Sequence, residues 1–259
     1  MSPTDELVPT LKKLRLSGVL ESLQLRIDQA VEDKASYPEF LLRVVHDEVE
    51  RREARQLNIR IRRANFEHKK TLEDFDFTFN STIPKNQVID LATGAFIKRK
   101  RNVLLLGDTG TGKSHIGQAI GHRGCLLGFE VVFISAHKLL TSLRAARADD
   151  SYDRMMSRYT RPDLLIVDDL GVRSLRHDEP FDLYELIRAR YEQGSMLITS
   201  NRDVDEWGSL FQDPLMASAA MDRLLHDATV LRFEGPSYRN PSSGKRSPQP
   251  SCRRRPKRS

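Results

Sequence analysis

Residues 107–114 read Gly-Asp-Thr-Gly-Thr-Gly-Lys-Ser, and this run constrains the fold more than any other feature of the chain. It follows the apolar run 103–106, which has the composition of a buried strand, and a helix is predicted to begin near Lys113. Its three glycines let the backbone turn so that several N–H groups face one centre. A loop of this form at a helix N-terminus binds phosphate, so the sequence predicts a P-loop.

The P-loop assigns roles to individual side chains. Lys113 is predicted to neutralise the β- and γ-phosphates of ATP, and the Ser114 hydroxyl to join the ligands of Mg²⁺. The predicted nucleotide contacts are Gly107, Asp108, Thr109, Gly110, Thr111, Gly112, Lys113, Ser114 and His115. ATP and Mg²⁺ are therefore the expected substrate and cofactor.

Short apolar runs separated by helical stretches predict the architecture. The candidate strands are residues 103–106, 130–134, 164–167, 196–200 and 229–233. Strands that alternate with helices favour a parallel sheet covered on both faces. The predicted fold class is thus α/β, with a five-stranded parallel sheet between helices.

Two of these strands end in polar residues of functional interest. Residues 164–169 read Leu-Leu-Ile-Val-Asp-Asp, so carboxylates follow a buried strand at the edge where parallel sheets bind ligands. Asp168 is the expected Mg²⁺ residue, and Asp169 is expected to orient the attacking water. Asn201 follows residues 196–200 and is predicted to hydrogen-bond the γ-phosphate or that water, although asparagine also favours turns.

The residues before this core are predicted to be helical, from the start to about residue 70. Apolar side chains recur at helical spacing, as at Leu42, Val45 and Val49. From residue 48 to 70 the pattern is strongly charged, which predicts a long exposed helix. Phe75, Phe77 and Phe79 then alternate in a linker that is expected to pack onto the next domain, with a contact to the nucleotide base as the less favoured alternative.

The charge is unevenly distributed. The net charge is +6, and the last 19 residues hold seven Lys or Arg and no acid. A second basic cluster, residues 98–101, precedes the P-loop strand, and residues 51–70 hold eight basic side chains. Basic surface of this kind attracts polyanions such as nucleic acid, and the alternative is a solvated helix face with a disordered tail. The candidate DNA contacts are Arg51, Arg52, Arg55, Arg60, Arg62, Arg63, Lys69 and Lys70.

No run approaches the roughly 20 apolar residues that cross a bilayer, and the first residues lack the pattern of a secretion signal. A cytoplasmic protein without a membrane partner is expected. Neither the two cysteines nor the histidines have metal-ligand spacing. The predicted organisation is a helical domain over residues 1–72, a nucleotide-binding domain over 73–240 and a disordered basic tail over 241–259.

Several segments together resemble the IstB family of ATP-binding helper proteins from bacterial insertion sequences. The segments are 107–114, 164–171, 190–192, 199–201, 206–207, 222–226 and 235–239. The resemblance extends over about residues 5–240. Members of this family are AAA+ ATPases, similar to the DnaC-type replicative helicase loaders and to the initiator DnaA.

The resemblance implies further roles. Asn201 matches the first sensor residue, and Arg223 matches the arginine finger that reaches the nucleotide of a neighbouring subunit. Arg239 matches the second sensor, which contacts the nucleotide of its own subunit. Two departures stand out: Asp169 occupies a position where many AAA+ proteins carry Glu, and the residues after Asn240 are unlike the usual ending of the family.

The function implied by the resemblance is a transposition helper that hydrolyses ATP. Such a protein is expected to oligomerise on duplex DNA without strong sequence preference and to recruit a transposase of the IstA type. A helicase loader is the main alternative, because its ATPase core looks nearly the same. A small-metabolite kinase and an inactive copy are weaker alternatives: the chain shows no sign of an acceptor pocket or lid, and its P-loop and carboxylate pair are intact.

Overall fold

The computed structural model describes residues 3–80, 82–211 and 213–238. The chain divides into two units, Met1–Arg63 and Ala64–Ser259. This division falls nine residues before the predicted domain boundary at residue 72. The predicted tail, residues 241–259, lies outside the described residues.

The first unit consists of helices. These are α1 (Pro3–Lys13), α2 (Ser17–Glu32) and α3 (Tyr37–Ala64). Its buried centre is formed by Leu11, Val19, Leu23 and Val44. The predicted apolar positions Leu42, Val45 and Val49 do lie on a helix, but they occupy its exposed side, because Val44 faces the buried centre instead.

A buried carboxylate joins α3 to the start of α2. Glu48 accepts hydrogen bonds from the Gly18 N–H at 2.6 Å and the Val19 N–H at 3.3 Å, and it pairs with Arg52 at 2.7 Å. Burial raises the pKa of Glu48, but the Arg52 guanidinium and the two N–H groups outweigh burial and leave the pKa below its usual value. The negative charge thus stabilises the N-terminal end of α2.

Helix α3 is shorter than the sequence predicts. It ends at Ala64, not at Lys70, because Asn65 adopts a left-handed conformation (φ 57°) that stops helices. Phe66 then packs against Phe133, with ring centroids 6.2 Å apart. Lys69 and Lys70 therefore lie in an irregular segment beyond the helix.

The second unit alternates helices and strands. In chain order these are α4 (Lys85–Ala92), α5 (Ala95–Lys98), β1 (Val103–Gly107), α6 (Lys113–Leu126), β2 (Val131–Ser135), α7 (Ala136–Ala148), α8 (Tyr152–Thr160), β3 (Leu164–Leu170), α9 (Glu179–Arg190), β4 (Ser195–Ser200), α10 (Val204–Trp207), a 3₁₀ turn (Gly208–Leu210), α11 (Pro214–Leu225) and β5 (Thr229–Phe233). All five predicted strands are confirmed, with end points that differ by up to three residues. Within the described residues, no helix combines the length and apolar composition that a bilayer span requires.

The strands form one parallel sheet in the order β2-β3-β4-β1-β5, which confirms the predicted α/β class. The middle strands are buried on both faces, as parallel sheets require. Since all strands run the same way, their last residues meet along one side of the sheet. We call this side the carboxyl edge, and the side where the strands begin the amino edge.

A buried arginine links the helices and strands that meet at the amino edge. Arg190, at the end of α9, is 1% exposed and donates hydrogen bonds to the carbonyl oxygens of Tyr159, Thr160, Asp163 and Ser195 at 2.7–3.3 Å. Burial lowers its pKa to about 10, so it stays protonated at neutral pH. One guanidinium therefore holds the ends of α8 and α9 against the starts of β3 and β4.

Replacing this guanidinium tests its importance for stability. The substitution Arg190→Ala leaves buried carbonyl oxygens without donors, which is expected to lower the free energy of unfolding by about 3 kcal/mol or more. Urea unfolding monitored by circular dichroism measures the loss. The matched control is Arg188→Ala on the same helix, whose exposed side chain pairs with Glu185 at 3.3 Å and whose removal is expected to change stability by about 0.5 kcal/mol or less. Equal effects of the two substitutions would contradict this role.

Candidate nucleotide site at the carboxyl edge

The P-loop leaves β1 and enters α6 with the backbone that phosphate binding needs. Gly107, Gly110 and Gly112 have φ values of 126°, 85° and 99°, which side-chain-bearing residues rarely adopt. A Cβ atom at Gly107 would lie 2.1 Å from the Phe233 carbonyl oxygen, so β5 leaves no room for a larger residue there. The sequence thus forms the predicted loop because glycine stands where no other residue fits.

The lysine of the loop is folded against the loop backbone. Lys113 is 6% exposed, and its Nζ donates to the carbonyl oxygens of Gly107 at 2.7 Å and Asp108 at 2.6 Å. The Thr111 hydroxyl also donates to the Asp108 oxygen, at 2.8 Å. A positive charge is therefore held inside the loop, where a triphosphate competes with two carbonyl groups for it.

The linker and the segment after β5 close around the loop. Phe75 is buried, with its ring 5.1 Å from that of His115 and 5.3 Å from that of Tyr238. Tyr238 donates its backbone N–H to the Gly110 oxygen at 2.9 Å and its hydroxyl to the Asp76 oxygen at 2.6 Å. The expected packing of Phe75 onto this domain is confirmed.

His115, one of the predicted nucleotide contacts, faces the linker. Its Nε2 lies 2.9 Å from the Thr71 carbonyl oxygen, so this nitrogen carries the proton that it donates. The ring edge also contacts Phe75. His115 thus fixes the linker to α6, in addition to its predicted contact with the nucleotide.

Asp168 is a buried carboxylate near the end of β3. It is 5% exposed and accepts a hydrogen bond from the Thr199 hydroxyl at 2.5 Å. Burial raises its pKa, and the charges of Asp169 and Glu67 add to the increase, while the Thr199 and Ser114 hydroxyls oppose it. The structure thus brings together Ser114 and Asp168, the two predicted Mg²⁺ residues. Hydroxyl and carboxylate oxygens are the hard donors that this ion prefers.

Asp169 has a different environment although it is the next residue. It is exposed, adopts a left-handed conformation (φ 59°), and lies in a bulge where the β3–β4 register shifts between Val167 and Leu170. Strained backbone and bulges of this kind cluster at functional sites. The bulge separates the two carboxylates into one buried and one solvent-facing group.

Thr199 is a candidate site residue that the sequence did not predict. It is fully buried on β4, where its hydroxyl donates to Asp168 and accepts the Asp169 backbone N–H at 2.9 Å. One hydroxyl therefore fixes both carboxylate-bearing residues. A hydroxyl within the apolar run 196–200, beside a strand that ends in two acids, is the signal that could have identified it.

The predicted first sensor and the predicted finger lie at opposite edges of the sheet. Asn201 is exposed directly after β4, at the carboxyl edge with the P-loop. Arg223 lies in the last turn of α11, and its carbonyl oxygen is 3.5 Å from Nδ2 of Asn102, which precedes β1. Arg223 is therefore at the amino edge, and the structure does not bring it to the P-loop of its own chain. Arg239 lies outside the described residues.

The predicted DNA contacts differ in their exposure and in whether they pair with an acidic side chain. Arg51 pairs with Glu21, and Arg52 pairs with the buried Glu48. Arg55 and Arg62 are exposed and seven residues apart on α3, so they share one side of the helix. The other predicted contacts on α3 are the partly exposed Arg60 and the exposed Arg63.

Comparison with known proteins identifies what this arrangement is similar to. A family model described as IstB-like ATP binding protein matches residues 9–246. The chain is 39% identical over 230 residues to an insertion-sequence ATP-binding protein of Mycobacterium tuberculosis, covering 88% of this chain and 92% of that protein. It is 35% identical over 239 residues to the insertion sequence IS21 ATP-binding protein of Pseudomonas aeruginosa, covering 92% and 89%.

Solved structures share the fold at lower identity. DnaI matches with a TM-score of 0.55 and 19% identity, over 64% of this chain and 92% of that one. AMPPCP-bound DnaA from Aquifex aeolicus also matches with a TM-score of 0.55 and 19% identity, over 66% of this chain and 51% of that one. The chain thus spans about half the length of that DnaA chain. These likenesses, over about two thirds of the chain, show a shared α/β P-loop fold.

Replacing the missed hydroxyl tests its role in positioning the carboxylates. In Thr199→Val, Asp168 loses a donor, so its pKa is expected to rise further and its carboxylate to bind Mg²⁺ about 10- to 100-fold more weakly. Because ionised Asp168 is needed, the acid limb of the pH–activity profile should move to higher pH. The measurement is ATP hydrolysis against Mg²⁺ concentration and against pH.

The control is Thr199→Ser, which keeps the hydroxyl and should retain the Mg²⁺ dependence of the wild type. Thermal unfolding of both variants checks that the sheet is intact. A valine variant with wild-type Mg²⁺ dependence and pH profile would show that the hydroxyl does not position Asp168.

Proposed function

The chain belongs to the family of IstB-like ATP-binding proteins, and on this premise we propose that it is a transposition helper that assembles on duplex DNA. The family and the AAA+ fold make it an ATPase. The assembly would recruit and stimulate a transposase of the IstA type. Support comes from the relatives, which insertion sequences encode, and from the distribution of charged residues over the chain.

The carboxyl edge supplies the residues for hydrolysis. Lys113 exchanges the Gly107 and Asp108 carbonyl oxygens for phosphate oxygens of ATP. Ser114 and Asp168 would hold Mg²⁺, which supplies positive charge to the β- and γ-phosphates. Asp169, exposed beside Asp168, orients the attacking water and accepts its proton.

Two further residues act on the γ-phosphate in this proposal. Asn201 donates a side-chain hydrogen bond to it from the end of β4, and Arg239 adds positive charge as the second sensor. Their work is electrostatic, because phosphoryl transfer depends on positioning and on neutralising charge more than on covalent chemistry.

The position of Arg223 carries the proposal of assembly. Its carbonyl oxygen lies beside Asn102 at the amino edge, whereas the P-loop leaves the opposite end of β1. Five residues of strand separate these places by about 16 Å. An arginine finger at this position serves a second copy that stacks head to tail, and head-to-tail contacts repeat into rings or open spirals.

Duplex DNA is the proposed track for this assembly. Arg55 and Arg62 project from one side of α3, and the exposed Arg63 and Lys69 follow nearby in the chain. Contacts from such side chains go mainly to phosphates, so binding is nonspecific and sensitive to salt.

A helicase loader is the second candidate, and the fold shared with a solved DnaC helicase loader favours it. That likeness is at 15% identity, whereas the insertion-sequence relatives reach 35–39% over most of the chain. We therefore prefer the transposition helper. Co-purification of the protein with an IstA-type transposase or with a replicative helicase separates the two candidates.

The proposal predicts hydrolysis that depends on DNA, on protein concentration and on Arg223. In Arg223→Ala, ATP hydrolysis is expected to fall about a thousandfold or more, since arginine fingers supply roughly 10³ to 10⁵ in rate. Specific activity of the wild type should rise with duplex DNA and with protein concentration. The matched control is Arg188→Ala, an exposed arginine on α9. A rate of ATP hydrolysis that is unchanged by duplex DNA and by Arg223→Ala would contradict the proposed assembly.

The DNA contacts predict a change in salt dependence. The double substitution Arg55→Gln/Arg62→Gln removes two phosphate contacts, so the slope of log affinity against log salt should flatten by about 1.8. Fluorescence anisotropy with duplexes of two unrelated sequences measures it, and both duplexes should be affected equally. Arg43→Gln on the same helix, where Arg43 pairs with Asp33, is the control and should leave the slope unchanged.

A further inference from the structure

The basic residues that precede β1 lie beside Arg223. Arg99, Lys100, Arg101 and Arg223 line a cavity of about 140 Å³ at the amino edge, together with Asn102, Tyr191, Glu192, His226 and Asp227. The basic cluster noted in the sequence and the predicted finger thus form one surface. We call Arg99, Lys100 and Arg223 the cationic face.

The local backbone presents this cluster to solvent. Helix α5 ends at Lys98, and Lys100 adopts a left-handed conformation (φ 55°). The Arg101 N–H donates to the Phe96 oxygen at 2.9 Å, which closes the turn before β1. Side chains 98–101 are all exposed, so the turn holds four cations at the start of the central strand.

The cations of this surface are only partly compensated. Arg101 pairs with Asp227 at 3.1 Å, and Glu192 is the other acid that lines the cavity. Among the residues that the structure describes, Arg99 and Lys100 have no ion-pair partner. The lining therefore keeps a positive balance of four cations against two carboxylates.

The opposite edge of the same sheet carries exposed carboxylates beside the P-loop. Asp108 and Asp169 are exposed there, and bound ATP would add its own negative charge. The two edges are one strand length apart, so a single chain cannot bring them together. A second copy, stacked head to tail, would bring the cationic face of one chain to the nucleotide-bearing edge of the next.

We infer that Arg99 and Lys100 act with Arg223 as a docking face that binds the nucleotide-bearing carboxyl edge of a second copy. This inference rests on the proposed function, and it adds two positioning residues to the finger. Their charge orients the neighbouring copy so that Arg223 reaches the γ-phosphate. Complementary charge raises the rate and specificity of association, and salt weakens it.

Duplex DNA is the competing partner for any basic cluster. The partner favoured here is the second copy, because the cluster shares its cavity with Arg223 and with the acids Glu192 and Asp227. Arg223 is the residue proposed to reach the γ-phosphate of a second copy, so cations that line the same cavity face the same partner.

A mixture of two inactive chains tests the inference. Asp169→Asn is expected to bind ATP without the hydrolytic carboxylate, and Arg223→Ala lacks the finger. Mixed at saturating protein with duplex DNA, they should recover ATP hydrolysis at sites built from the P-loop of the Arg223→Ala chain and the finger of the Asp169→Asn chain. The pair Arg99→Gln/Lys100→Gln is then added to either chain.

The placement of the added pair decides the outcome. On the Asp169→Asn chain, the added pair should lower the recovered hydrolysis about tenfold or more. On the Arg223→Ala chain it should leave the recovered hydrolysis near that of the parent mixture, because the cationic face of this chain does not serve a complete site.

Other results overturn the inference in distinguishable ways. Recovery that is unchanged by either placement shows that Arg99 and Lys100 do not dock, and leaves the proposed function standing. Equal losses from both placements, with weaker duplex binding in fluorescence anisotropy, assign the cluster to DNA. No recovery in the parent mixture overturns hydrolysis between copies, and the inference with it.

Discussion

The common direction of the five strands is the constraint on which the remaining structure depends. Because every strand ends on the same side, the P-loop, Asp168, Asp169 and Asn201 reach one edge although about 90 residues separate the first from the last. The same constraint sends the residues before β1 and those after α11 to the opposite edge. The sheet therefore has two unlike edges, and this difference underlies both the proposed chemistry and the proposed stacking.

At the carboxyl edge, Asp168 and Asp169 have the same side chain but differ in their exposure to solvent. Burial raises the free energy of the ionised form of Asp168, which a nearby cation would lower again. Asp169, the next residue, is exposed to solvent. The Thr199 hydroxyl maintains the difference by bonding to the side chain of one and the backbone of the other. In the proposed site, a bound Mg²⁺ would offset the free-energy cost of keeping Asp168 ionised and buried.

The sequence predicted most of this fold because its strongest signals are local. Apolar runs, the glycine spacing of the P-loop and the acid pair depend on neighbours in the chain, and the strands and their common edge follow from them. The predicted end of α3 was wrong because Asn65 stops the helix in a left-handed conformation and Phe66 then packs on Phe133, a residue far along the chain. Thr199 was missed for the same reason, since its importance lies in a hydrogen bond across strands.

The closure of the P-loop by Tyr238 has a mechanical consequence. The backbone N–H of Tyr238 is bonded to the Gly110 oxygen, in the middle of the phosphate-binding turn. Tension applied to the chain beyond this residue would therefore pass directly into the loop, with the Tyr238 hydroxyl on Asp76 as a second anchor. A displacement of Tyr238 would thus move the phosphate-binding turn at Gly110 and the linker at Asp76 together.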